Sequence, residues 1–440
     1  MATQITRRQL GFLALAGLGT LSLAGCGTGA ASTGSSAADA YKTAKLTFSW
    51  WGNDVRNAYT QKLLDLYHQK HGKISFTADP GEWNSYWTKL STHVAANDAP
   101  DIIQMDWAYI AEYGGRGALA DLSQQEALDT SKLDDDAMAS GTYQGKLYGV
   151  STGRNAMCVA VNERILKEAG AELPDDGTWT WDDYQELAQK ISDSTGGKTV
   201  GTSLLMQDSD AFIWARQNGE QLFTKSGKVG LSEENATAWF ERWNDIVQSG
   251  AGPTPDQWTQ DVTLALEQSL FGTGKAGMAW IWTNQLAAYE QATGDPITML
   301  RPPSATGKAA DNGAYFKSSM FWSMSSRTKA PAQASAVIDW LVNSTEAGKV
   351  ILAERGIPTN SDVLSAITPQ LADADKAGVA LLDKMKPDIK DTPPVPPKGT
   401  STATDVIRRH ATDVFFKRAK PAAAAKAVID ELTAQIKQAS

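Results

Sequence analysis

Several strings in the chain carry residue types that could do chemistry, and local context decides what each one is. Gly149-Val150-Ser151-Thr152-Gly153 fits the spacing of a nucleophile elbow. An elbow needs a helix directly after the serine to hold its hydroxyl on a sharp turn. Here an extended apolar run, Met157 to Val161, follows instead. Gly272-Thr273-Gly274-Lys275-Ala276-Gly277 fits a dinucleotide-binding glycine pattern. That pattern must follow a strand and open a helix, and here the order is reversed. Gly196-Gly197-Lys198-Thr199 lacks the first glycine of a phosphate-binding loop. His68 and His71 stand three apart on a helical stretch, which suits a metal, but no cysteine or third histidine joins them. Acidic runs such as Asp134-Asp135-Asp136 carry no signal either way, because a catalytic carboxylate pair is defined by its separation in space and a solvated pair looks the same in sequence. No catalytic residue, metal site or cofactor is expected.

The elements around these strings point elsewhere. Lys45 to Trp51 alternates apolar and polar residues and predicts a strand. Ala58 to His71 predicts a helix, Lys73 to Thr77 a strand, Tyr86 to Asn97 a helix, and Pro100 to Met105 a short buried strand. This alternation predicts a parallel sheet with helical crossovers. Ligands of such sheets gather beyond the carboxyl ends of the strands. Further on, Lys146 to Val161 is extended, and Trp179 to Gly277 is helix-rich. Ala276 to Trp282 and Ser319 to Ser325 are strand-like; Ala330 to Asn343 and Ala422 to Ala439 are helical. Asp391 to Lys398, with four prolines, reads as extended surface.

Against this frame the 15 tryptophans are the informative residues. Trp239, Trp243 and Trp340 fall on helical periods and belong to the core. Trp50 or Trp51, Trp83, Trp107 and Trp282 fall at strand ends or loops. An indole beside amide and carboxylate groups suits a carbohydrate, whose C–H face stacks on the ring while its hydroxyls find donors and acceptors.

The ends bound the compartment. Arg7 and Arg8 precede an almost uncharged run, Leu10 to Leu23, and small residues lead to Cys26. This is the layout of a secretory signal with a cleavage site, too short for a membrane span. Leu23-Ala24-Gly25-Cys26 resembles the bacterial lipobox, and Arg7-Arg8 a twin-arginine export signal. The expectation is a signal over 1–25, lipidation at Cys26, and a flexible tether over 26–44, rich in Gly, Ser, Ala and Thr. The protein would be exported and anchored to the outer face of the cytoplasmic membrane. The formal net charge of −9 disfavours nucleic acid as a partner. Besides Cys26 there is only Cys158, so no disulfide within the body is expected and Cys158 reads as buried packing.

A series of strings resembles one family. Glu82-Trp83-Asn84-Ser85-Tyr86-Trp87-Thr88-Lys89-Leu90 is followed by Asn97-Asp98-Ala99-Pro100-Asp101-Ile102. Gly114 to Leu122, Tyr148-Gly149-Val150 with Val161-Asn162, Gly274-Lys275-Ala276-Gly277-Met278, Ala330 to Leu352, and Gly356-Ile357-Pro358 come after it in order. Together they resemble the family 1 extracellular solute-binding proteins of carbohydrate ABC importers, the maltose-binding-protein type.

The resemblance implies a periplasmic-binding-protein-like α/β fold: two lobes, hinge crossovers, and a ligand cleft between the lobes. Lobe one would be 45–150 plus 320–355 and lobe two 160–313 plus 358–440, with crossovers near 151–159, 314–319 and 356–357. It implies a monomer that captures a sugar or oligosaccharide, closes by hinge bending, and delivers its ligand to the membrane permease. The residues it points to are Asn53, Asp54, Glu82, Trp83, Asp106, Trp107, Arg154, Asn155, Trp282, Asn284, Tyr315 and Lys317. Arg154 and Lys317 leave an acidic sugar open beside a neutral one. The rival readings are a binding protein for a non-sugar solute such as a polyamine, and a secreted glycoside hydrolase.

Overall fold

Strands packed on both faces form the centre of the first sheet of the protein. The structure, a computed structural model, describes residues 35–439. The expected signal segment, the lipidation at Cys26 and the start of the tether lie outside the described residues. The strands are β1 (Ala44–Trp51), β2 (Ile74–Gly81), β3 (Ile102–Met105), β4 (Thr142–Tyr143), β5 (Lys146–Leu147), β6 (Val150–Ser151), β7 (Arg154–Asn162), β8 (Val200–Thr202), β9 (Ala276–Trp282), β10 (Ile297–Leu300), β11 (Phe316–Ser318) and β12 (Phe321–Met324). The first sheet runs β2-β1-β3-β12-β6, with β1 parallel to β2 and β3, and β12 antiparallel to its neighbours. Within β1, Leu46, Phe48 and Trp50 enter one core and Trp51 enters another, the two-residue period of a strand packed on both faces.

The crossovers are helices with local reasons to start where they do. Asn53 caps α1 (Asp54–Lys70), its side chain accepting from the Arg56 N–H at 3.0 Å. That helix buries Thr60, Leu63, Leu64 and Tyr67, spaced three and four apart. Helix α2 (Trp83–Ala95) buries Tyr86, Trp87 and Leu90. Asp106 caps α3 (Trp107–Gly115) by accepting from the Ala108 N–H at 3.0 Å.

The second sheet runs β10-β7-β9-β8, with β11 also pairing β7. β7 is buried along its length apart from its first residue, as a central strand should be. Its alternate residues serve two cores: Ala156, Cys158 and Ala160 face one, Met157, Val159 and Val161 the other. Cys158 is fully buried, and burial pushes its thiol well above the ordinary range, so it packs rather than reacts. The sheets centre the two α/β lobes.

Three connections pass between the sheets side by side. The Thr152 N–H donates to the Met320 carbonyl at 3.0 Å, and the Ser319 N–H to the Gly153 carbonyl at 2.8 Å. Arg154 and Ile357 exchange backbone bonds at 2.8 and 3.1 Å. The chains approach closely enough to require glycine twice. A Cβ on Gly153 would sit 2.6 Å from the Gly356 carbonyl carbon. Gly356 has φ +90, and a Cβ there would lie 1.8 Å from Ser319 Oγ. Beside this crossing, Arg355 is fully buried, its guanidinium 4.5 Å over the Trp322 ring and donating to Thr60 Oγ1 at 2.9 Å and to Gln104.

Two stretches differ from the sequence reading. Residues 35–43, expected within the flexible tether, are docked: Ser35 Oγ donates to Gln125 Oε1 at 2.6 Å, and Ala40 is buried. The proline stretch 391–398, expected on the surface, buries Pro393, Pro396 and Pro397, with Val395 packed on the larger core. Proline has no N–H to leave unpaired, so an irregular segment rich in it can be buried at little cost. Among the described residues no helix is long and apolar enough to cross a membrane.

Candidate ligand-binding cleft

The carboxyl ends of β1 and β3 and the start of α2 bring three side chains together. Trp51 ends β1, Trp83 opens α2, and Asp106 follows β3. Trp83 is 43 % exposed and meets Trp51 edge to face, ring centroids 5.0 Å apart at 81°. Trp87, stacked on Tyr109 at 3.7 Å, backs the Trp83 ring at 5.3 Å.

The second sheet supplies the facing wall by register. Asn155 on β7 and Lys317 on β11 are Cα partners across an antiparallel pair. Trp282 ends β9, where Gln285 Oε1 accepts its backbone N–H at 2.9 Å and fixes the turn carrying Asn284. Ser319 and Met320, on the second connection, close the floor. These residues line a cavity of about 380 Å³: Trp51, Trp83, Asp106, Asn155, Trp282, Asn284, Gln285, Lys317, Ser319 and Met320.

Two features give the cavity its electrostatic character. Lys317 Nζ, on a strand of the second sheet, lies 3.2 Å from Asp106 Oδ2, which follows β3 of the first, and 5.5 Å over the Trp282 ring. Asn155 is 5 % exposed, and its Oδ1 is buried with no hydrogen-bond partner. Such an acceptor costs stability until a donor reaches it. Behind this wall, Trp107 packs at 5.2 Å on Phe212 and 6.3 Å on Tyr315. Desolvation raises the Asp208 carboxyl above its ordinary range; Thr404 and Lys317 oppose that shift and Asp106 adds to it. An aromatic surface on each wall, with amides and one ion pair between them, can stack on a flat C–H face and bond its hydroxyls.

Of the residues singled out in the sequence, the structure gathers Trp83, Asp106, Asn155, Trp282, Asn284 and Lys317 around this cavity. It places six others elsewhere. Asn53 is spent on the α1 cap, and Asp54 is that helix's exposed first residue. Glu82 precedes α2 and is exposed. Trp107 and Tyr315 are buried behind the wall, at 4 % and 2 % exposure. Arg154 pairs with Asp134 at 2.5 Å and lies 5.0 Å over the Phe316 ring. Sequence reasoning left Trp50 and Trp51 undecided and missed Gln285, Ser319 and Met320. The alternation of Leu46, Phe48 and Trp50 carries the signal for the first point, since it puts Trp50 in phase with the core.

Residues 62–377 match the model of a family described as bacterial extracellular solute-binding protein. The arabinooligosaccharide-binding protein of Bacillus subtilis is 28 % identical over 209 residues, 46 % of this chain and 47 % of that one, so the chain spans about half the length of this relative. An uncharacterized lipoprotein of Streptomyces antibioticus is 24 % identical over 78 % of this chain and 76 % of its own. Among solved structures, an extracellular solute-binding protein family 1 member from Alicyclobacillus acidocaldarius superposes with a TM-score of 0.68 at 26 % identity, covering 90 % of this chain and 99 % of that one.

Proposed function

The chain belongs to the bacterial extracellular solute-binding proteins, and from that premise we propose that it captures a sugar or oligosaccharide for an ABC importer. The observation that carries this reading is the pair of indoles, Trp83 and Trp282, set in opposite walls of one cavity with Asn155, Asn284 and Asp106 between them. Each indole covers a sugar face, and the amides and carboxylate exchange hydrogen bonds with ring hydroxyls. Binding, without turnover, is the function. A polyamine is disfavoured by the ammonium of Lys317 in the same cavity. The likeness to an arabinooligosaccharide-binding relative supports a saccharide ligand.

In this reading the first lobe comprises 45–150 with 320–355, the second 160–313 with 358–440, and the three connections at Thr152-Gly153, Ser319-Met320 and Arg355-Gly356 are the hinge. A ligand that touches both walls stabilises the closed form, and the permease accepts that form. Cys26 carries the lipid that holds the monomer at the membrane, in line with the lipoprotein relative. A thermal-shift screen over arabino-, malto- and galacto-oligosaccharides tests the reading, because a ligand of the native state must raise its melting temperature. A shift of several degrees with at least one saccharide is expected. A flat response to all of them, with a shift from polyamines, would overturn it.

A further inference from the structure

Among the described residues lining the cleft, Lys317 is the one cation and Asp106 the one anion. We propose that Asp106, by holding Lys317, restricts the cleft to uncharged saccharides and turns away uronates. This rests on the carbohydrate reading and sharpens it to a ligand class. The pair is 3.2 Å long, with side-chain exposures of 18 % and 15 %, so water and salt screen it little. A sugar carboxylate seeking Lys317 must either displace Asp106, leaving a shielded carboxylate unpaired, or lie beside it as a like charge.

The neighbouring arginines offer no alternative: Arg355 is fully buried, and Arg56 is paired with Glu354 at 2.9 Å. Arg154, next to Asn155 on β7, is held by Asp134 at 2.5 Å and does not line the cavity. Asn155 Oδ1 is buried without a partner, and it needs an O–H or N–H donor. A sugar hydroxyl donates one, and neutral sugars and uronates both carry hydroxyls, so Asn155 selects for a saccharide while the Lys317–Asp106 pair selects on its charge.

Titration calorimetry tests this with matched pairs that differ only in the oxidation of C6 on each ring: galactobiose and digalacturonate, glucose and glucuronate, together with arabino- and malto-oligosaccharides. Wild-type protein is expected to bind neutral sugars at least about tenfold more tightly than uronates, the span of a 1.4 kcal/mol difference. Asp106→Asn keeps an oxygen to cap α3 and frees Lys317, so the preference should move at least tenfold toward the uronates. In the double variant Asp106→Asn with Lys317→Gln that gain should vanish. Wild-type preference for the uronate overturns the proposal, and this arm needs no variant to fold. So does an unmoved preference in an Asp106→Asn protein whose melting curve is cooperative. Binding of no saccharide in any arm overturns the carbohydrate reading itself, and the proposal with it.

Discussion

The two walls of the cleft present the same kind of ring by different means. On the first wall, Trp83 opens a helix, stands 43 % exposed and leans on other aromatics. On the second, Trp282 ends a strand whose register with β7 is fixed over five residue pairs, and it sits edge-on to the buried Tyr315 at 6.5 Å. The polar groups follow the same division. Asn155 and Lys317 are placed by strand pairing, whereas Asp106 is placed by its duty as a helix cap. The lesson is one of preorganisation: the sheet-borne wall holds its groups in place before a ligand arrives, and the helix-borne wall offers exposed area. A half-buried, positioned ring should therefore be worth more to binding than an exposed one.

Substitutions probe that contrast. The largest expected effect lies outside the cleft and sets the scale: Trp340, 8 % exposed and edge-on to Tyr67 at 5.3 Å, is core. Trp340→Ala should cost about 3–5 kcal/mol of stability by denaturant unfolding, with affinity kept wherever the fold survives. Trp282→Ala should weaken saccharide binding by about 2 kcal/mol or more in calorimetry while melting close to wild type. If it binds normally but melts early, Trp282 is core and the second wall is misassigned. Trp83→Ala should cost binding only about 1 kcal/mol, since the residue stands 43 % exposed and is not positioned by strand pairing. A larger loss from Trp83 than from Trp282 would reverse the ranking of the walls.

The smallest effect is a pH dependence behind the second wall. Burial pushes the Asp210 carboxyl up to about 7; Asp208 adds to the shift, and backbone hydrogen bonds and Arg408 oppose it. The folded state keeps a proton that the unfolded chain releases near 3.8. Its contribution to stability is therefore complete below the unfolded value and is lost as pH rises through about 7. Melting temperatures between pH 5 and 8 should fall more for wild type than for Asp210→Asn. Parallel curves would show that Asp210 is ionised throughout.

Much of the framework was legible because period and burial coincide. Ala276 to Trp282 is strand β9 to the residue, and the helix expected from Ala330 is observed over Pro331–Asn343. The cleft was half legible. Strand ends could be located from sequence, but the phase of a strand could not, so Arg154 and Asn155 were taken together although adjacent residues face opposite sides. The family resemblance points to Asn53, in the loop after the first strand, as a ligand group; the helix that starts there claims its oxygen instead. Ser319 and Met320 enter the site only through the side-by-side passage of the connections, a long-range contact with no local pattern.

The central claim is that the two walls close on a saccharide about the three connections. Small-angle scattering of the mature protein tests it directly, with and without a saturating concentration of the saccharide that gives the largest thermal shift. The account predicts a smaller radius of gyration with the sugar and an unchanged circular-dichroism spectrum, as rigid lobes turning on a hinge require. Scattering curves that superimpose with and without the sugar would contradict it.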